Sequence, residues 1–306
     1  MTRARRWFVR LVLAAGGVLL LLVGLVALNG LVLADRHTPR VRHLADLPAA
    51  PSASGPGEVT VVAYNIAKGF AHRGGVRFDP REAVEERVRA MAAVVKAERP
   101  DLVFLSEALT ELGPCPVDQV DLFARECGLP HVATGENYNL GVPGYRVVGG
   151  NAIVSRFPLT PVENIDLVGR RPFWVTQNNR RALFVSAELG GKPVLLGALH
   201  NDSFDMRNNA AQARQLLEYI GDRPTILAGD FNNRPGDESI RQIRGSGRFA
   251  GAFDGPPTFF EGKRAERLDY VFVPVGWELV DHRVIADDTS DHRPLVCRFR
   301  MAAAGP

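Results

Sequence analysis

The sequence predicts an α/β domain carried behind a single membrane-spanning helix. Three observations lead there: an apolar run from Leu11 to Ala34 preceded by arginines, several short β-branched runs that each end in a polar residue, and amphipathic stretches between those runs. The amino terminus comes first. Arg3, Arg5, Arg6 and Arg10 stand before the apolar run, whose interruptions are small residues and Asn29. About 20 apolar residues suffice to cross a bilayer, whereas a signal-peptide core is usually ~7 to 15. Residues 1–10 are therefore read as a cytoplasmic basic tail and 11–34 as a transmembrane signal-anchor. The arginine asymmetry places the rest of the chain outside the cytoplasmic membrane. Cleavage near Ala34, releasing a secreted protein, is the alternative. Residues 35–57, with Pro39, Pro48, Pro51 and Pro56, read as a linker, and residues 58–306 as one large domain.

Inside the domain, Val59 to Tyr64 is a β-branched run that delivers Asn65 at its end. Asp79-Pro80-Arg81-Glu82 reads as an N-cap, a proline at the first helical position and a capping-box acid; Val84, Val88, Met91 and Val95 then share one helical face, and Pro100 stops the helix. Asp101 to Leu105 is a second apolar run, delivering Ser106 and Glu107. Pro193 to Leu199 is a third, ending in His200, Asn201 and Asp202. A helix is expected from about Asn208 to Ile220.

Thr225 to Pro235, T-I-L-A-G-D-F-N-N-R-P, runs an apolar strand straight into Asp230 and Asn232. Taken alone, Gly229-Asp230-Phe231-Asn232 is equally a turn. Asp269 lies within the otherwise apolar Leu268 to Val273, where an unpaired charge is costly, so a partner is expected and a histidine is the natural one. Ser290-Asp291-His292 follows. Polar groups ending several strands point to one shared site.

The order Asn65, Glu107, Gly150-Asn151-Ala152-Ile153-Val154-Ser155-Arg156, His200, Gly229-Asp230-Phe231-Asn232, Asp269, Ser290-Asp291-His292 resembles the endonuclease/exonuclease/phosphatase superfamily, which holds deoxyribonucleases, neutral sphingomyelinases and inositol-polyphosphate phosphatases. The resemblance runs from about Val59 to Arg300, with S-E-A and A-L-H-N as departures from the commoner motifs. It implies a four-layer α/β sandwich with two mixed β-sheets packed face to face. It also implies Mg²⁺, with Mn²⁺ as substitute, held by Glu107 and Asp291 with Asn65 nearby through its amide oxygen. His292 is then expected to pair with Asp269, Asp230 to orient or deprotonate water, Asn232 to position Asp230, and His200 to donate to the phosphate or the leaving group. Which of Asp230 and His292 is the base stays open. Asn151 and Arg156 are candidate substrate contacts, or else turn-shaping residues before Pro158.

Charge narrows the partners. The four leading arginines account for the net +3, and residues 11–306 together carry −1. Proteins that grip long nucleic acids usually show a basic face, so a phospholipid or a phosphorylated small molecule is favoured as the phosphate-ester substrate over extracellular DNA. A non-catalytic module binding a phosphate ligand is the alternative of another class. Arg170, Arg171, Arg180 and Arg181 around Phe173 and Trp174 form either a substrate-touching cluster or a solvated loop. Cys115, Cys127 and Cys297 include no C-x-x-C pair, so any metal is held by oxygen; Cys115 and Cys127 are candidates for a local disulfide. His37, His43, His72, His131 and His282 are read as ordinary histidines, and the chain as a monomer.

Overall fold

The computed structural model describes residues 3–47, 55, 57–70, 78–175 and 177–302. In chain order the elements are α1 (Arg3–Leu28), β1 (Arg40–His43), β2 (Glu58–Asn65), α2 (Arg81–Ala97), β3 (Leu102–Leu112), α3 (Gln119–Cys127), β4 (His131–Val142), β5 (Tyr145–Ser155), β6 (Thr160–Asp166), β7 (Arg181–Leu189), β8 (Lys192–His200), α4 (Met206–Ile220), β9 (Thr225–Asp230), α5 (Glu238–Gly245), β10 (Phe249–Gly251), β11 (Phe259–Glu261), β12 (Arg264–Glu266), β13 (Asp269–Pro274), β14 (Glu278–Val284) and β15 (Leu295–Arg300). A seven-stranded sheet runs β1-β4-β5-β3-β2-β15-β14, and a six-stranded sheet runs β10-β13-β9-β8-β7-β6. Each contains one parallel pair, β2 with β3 and β8 with β9, among antiparallel neighbours. Both sheets are therefore mixed, as expected.

Alternation of side chains creates the layers. Val59, Val61 and Ala63 of β2 face the second sheet and meet Leu196, Ala198, Ile226 and Val271 in the central core. Val62 and Tyr64 point the other way, under α2 and α3. On the far side Phe184, Leu199 and Leu227 pack beneath α4 and α5. The result is helix, sheet, sheet, helix, with β2 buried on both faces, which is why its sequence is continuously apolar. A helix covers each parallel pair as its crossover connection.

Four details differ from expectation. The helix after Pro80 begins at Arg81 without a side-chain cap, and Asp79 instead accepts a 2.5 Å bond from Arg87 further along that helix. Residues 40–43, expected within a linker, form β1 and pair with β4 at the sheet edge; residues 48–54 and 56 of that linker lie outside the described residues, as does His72. Cys115 and Cys127 are both buried and free, with the Cys127 thiol donating to the Ala92 carbonyl at 3.5 Å. Strand β3 does not end at Leu105 but continues past an irregularity between Leu105 and Ala108.

Candidate active site

Parallel pairing fixes the frame. In the first sheet Asn65 lies beside Ser106; in the second His200 lies beside Asp230, and antiparallel β13 sets Asp269 opposite Asp230. The Ser106 hydroxyl donates 3.0 Å to the Leu199 carbonyl, joining the two sheets at this edge. Glu107 sits in the β3 bulge at φ 54°, a conformation strained for a residue with a Cβ. Bulges of this kind re-aim a side chain next to active sites, and here Glu107 turns into the cavity. That cavity, about 700 Å³, is lined by Asn65, Glu107, Arg180, His200, Asp230, Asn232, Asp291 and His292.

Asp230 is the convergence point. Its Oδ1 accepts from the Asn232 amide at 2.9 Å, and its Oδ2 accepts from Asn65 Nδ2 at 3.0 Å. His200 Nε2 lies 3.3 Å and His292 Nε2 3.6 Å from the same Oδ2. Asn232, itself at φ 48°, also donates to the Asn201 carbonyl at 3.1 Å. The expected pairing of His292 with Asp269 is present, Nδ1 donating to Oδ2 at 2.8 Å. The Ser290 hydroxyl donates 2.8 Å to the Asn65 carbonyl, tying the loop before β15 to the end of β2.

The two histidines are driven apart electrostatically. Burial and the neighbouring Arg180 guanidinium push His200 down to about 3. Burial also opposes charge on His292, but Asp269 and Asp230 outweigh it and raise the imidazole to about 10. Removal from solvent favours the neutral form of part-buried Glu107, yet the Lys68 ammonium holds it well below the usual carboxylate range.

Lys68 escaped the sequence reading, and Arg180 entered it only within the arginine-aromatic cluster, read as either substrate-touching or a solvated loop. The Lys68 ammonium bonds Glu107 directly. Arg180 Nε donates to Asn178 at 2.8 Å and its Nη2 to Ser203 at 3.1 Å, so a guanidinium is held in the cavity wall by neutral partners. Lys68 lies three residues past Asn65 and Arg180 directly precedes β7, but charges at such positions usually solvate and give no signal of their own. Tyr138 also presents a buried phenolic oxygen without a partner among the described residues, its hydroxyl pushed up to about 12 by burial.

Other expectations are revised. Arg156 pairs with Asp101 at 2.7 Å, just before β3, and does not line the cavity. Asn151 is buried behind the site and donates 2.8 Å to the Arg181 carbonyl, steadying the strand that follows Arg180. The Asn65 amide oxygen accepts from the Ala67 amide at 3.0 Å while its nitrogen is on Asp230, which makes it an orienting group. Of the arginine-aromatic cluster only Arg180 reaches the cavity; Arg181 is buried against Asp166 at 2.5 Å. His37, His43, His131 and His282 do not line the cavity.

The residues fit a hard divalent cation. Glu107 and Asp291 bring carboxylate oxygens to one cavity, and the Lys68 ammonium on Glu107 shows that a positive charge is accommodated there. Separately, Asp230, Asp269 and His292 present possible ligand atoms within 4.8 Å of one another.

An endonuclease/exonuclease/phosphatase family model matches residues 62–292, a span that runs from β2 to His292. The chain belongs to this family. Its members are hydrolases of phosphoester bonds. Among solved structures, an endonuclease/exonuclease/phosphatase from Beutenbergia cavernae is similar with a TM-score of 0.62 and 23% identity, over 80% of this chain and 72% of that one. Sphingomyelinase C from Streptomyces griseocarneus gives 0.55 and 19%, over 79% and 99%. A humanized TDP2 from D. rerio gives 0.55 and 17%, over 79% and 99%. At these identities the likeness is one of fold. No curated protein sequence matches.

Proposed function

We propose that the protein hydrolyses a phosphate ester with a divalent cation, Mg²⁺ or Mn²⁺, and that Asp230 is the base. The observation that carries this is the meeting of Asn65, His200 and His292 on the single Oδ2 of Asp230. A histidine raised to about 10 is already protonated at neutral pH and has no lone pair for water. The base role therefore falls to the carboxylate and the acid role to His292. Glu107 and Asp291 would hold the cation, which when bound offsets phosphate charge that repels an incoming oxygen.

In this reading Asp230, held by Asn65 and Asn232, takes a proton from water as the water oxygen bonds to phosphorus. The ester P–O bond breaks and His292 Nε2 gives its proton to the departing alkoxide. Asp230 then returns its proton to His292, and Asp269 stabilises the imidazolium throughout. Arg180 and neutral His200 donate to the phosphate oxygens where charge accumulates.

The outer wall favours a small or lipid ester over a long polyanion. Arg234 and Arg264 line it, but both are bound to Glu266, and Asp237, Glu238 and Glu261 stand alongside, so no continuous basic track is offered to a nucleic-acid backbone. The protein should hydrolyse bis(p-nitrophenyl) phosphate with Mg²⁺ or Mn²⁺ and lose that activity in EDTA. Undiminished turnover in excess EDTA removes the metal from the reading, and rapid degradation of plasmid DNA with no action on small esters reverses the substrate preference.

A further inference from the structure

The helix α1 does not simply lead into the domain. Asn29, the polar residue in an otherwise apolar run, begins a π-turn (Asn29–Leu33) and is fully buried against the domain. Its Nδ2 donates 2.9 Å to Asn139 Oδ1 on β4, and Arg146 of β5 donates 3.3 Å to its Oδ1. Gly30 is covered by the Phe173 ring so closely that a Cβ there would lie 1.9 Å from Cε2. An amide inside a membrane helix is costly without partners, and here the partners come from the catalytic domain.

The opposite side of the same turn stays apolar and open: Leu31, Val32 and Leu33 are exposed. A lipid-facing surface therefore continues past the point where the domain is docked. Trp174, beside Phe173, and Tyr145, beside Arg146, are both 57% exposed at this level, as suits aromatic side chains at a bilayer interface.

The dock is continuous with the active site. Asn139 neighbours Tyr138, whose phenol responds to the charges of Lys68 and Glu107. On the other side Asn179 donates to the Pro172 and Val175 carbonyls, holding the Phe173 loop to Arg180, and Arg180 donates to Ser203. Next come Phe204 and Met206, exposed apolar side chains on the cavity rim.

We infer that α1 is a docked anchor that holds the cavity mouth at the bilayer surface, and that the substrate is the headgroup phosphoester of a lipid in that same membrane. Trp174, Phe204 and Met206 enter the interface beside the mouth. This rests on the phosphoesterase reading, and it assigns Asn29 and Gly30 as positioning residues remote from the reacting atoms.

The test uses the full chain reconstituted in vesicles of phosphatidylglycerol and phosphatidylethanolamine, with two rates measured: phosphate-ester release from the vesicle lipid and hydrolysis of soluble bis(p-nitrophenyl) phosphate. Asn29→Leu and Gly30→Leu keep the span apolar while removing the dock. Both should lower lipid hydrolysis roughly tenfold or more through lost effective concentration and orientation, with the soluble rate unchanged, which also reports that the domain is folded. Phe204→Ser should act in the same direction. Lipid hydrolysis untouched by all three variants, or absent while the soluble ester is turned over, overturns the inference alone. Failure on both esters in wild type takes the phosphoesterase reading down with it.

Discussion

His200 and His292 approach one carboxylate oxygen from two sides, both buried, yet their surroundings leave one neutral and the other cationic. His292 is backed by Asp269 at 2.8 Å; His200 is backed by nothing so close, its Nδ1 being 3.7 Å from a Glu107 already committed to Lys68, with Arg180 nearby. Residue type and burial are thus insufficient to assign a role. The second neighbour, acid or guanidinium, decides whether an imidazole stores a proton or only lends a hydrogen bond.

The largest effect should come from removing what the two histidines share. Asp230→Asn has the same shape and can keep the contact to the Asn232 amide through its one carbonyl oxygen, but its NH2 faces the Asn65 donor and it cannot take a proton, so turnover of a soluble ester should fall by on the order of 10³ or more. A fall no larger than that of either histidine variant would move the base elsewhere.

Next are His292→Ala and Asp269→Asn, each expected to cost on the order of 10² in turnover. Because Asp269 acts through the imidazole, the double variant should be barely slower than His292→Ala. Multiplicative losses would show that Asp269 serves independently, for example as a ligand in the Asp230-Asp269-His292 cluster.

The contrast can then be sharpened at Arg180. Arg180→Met removes a charge that depresses His200, so the His200 pKa should rise while that of His292 stays in place, as followed by imidazole NMR titration. Equal movement of both rings would mean that Arg180 does not distinguish them.

The smallest effect is on stability. His292 rises from 6.5 unfolded to about 10 folded, so its contribution is complete below pH 6.5 and is lost as pH climbs through about 10. His200 is depressed to about 3, so its contribution is present above pH 6.5 and is lost as pH falls toward 3. The difference in thermal stability between wild type and His292→Gln should shrink from pH 6.5 to 10. A gap that widens over that interval contradicts the assigned charge state.

Glu107, His200, Asp230 and Asp269 were legible in the sequence because each interrupts or borders an apolar strand, where a polar group needs a reason, whereas Asp291 and His292 stand in the loop before β15 and took their roles from the family resemblance. Asp269 shows this best: its lack of an apolar excuse pointed to His292. The layers were legible from the runs themselves, with the family resemblance supplying their number. Glu107 was found, but its mechanism was not, since a bulge is a matter of backbone geometry that S-E-A does not announce. Lys68 remained hidden because a lone lysine in a loop solvates in most proteins, and Arg180 was left undecided between substrate contact and solvated loop because the sequence does not say which of four neighbouring arginines turns inward. Arg40–His43 read as linker because two arginines in four residues do not suggest a strand, although an edge strand carries such charges readily. Arg156 follows the end of β5 and pairs with Asp101, a placement that its nearness to Asn151 in sequence does not reveal.

The pairing of β15 with β2, Leu295 opposite Ala63, also governs when activity can begin. β15 completes the neighbourhood of β2 from far along the chain, and His292 arrives with it. A chain still being synthesised or threaded across a membrane holds Asn65, Glu107, His200 and Asp230 without the imidazole that the site needs, and its first sheet lacks an interior strand. Assembly of the proposed site therefore waits on a pairing over a long sequence separation, a late and cooperative event. Under the proposed mechanism, a chain in which β15 has not yet paired with β2 lacks the imidazole acid and should be inert toward phosphoesters.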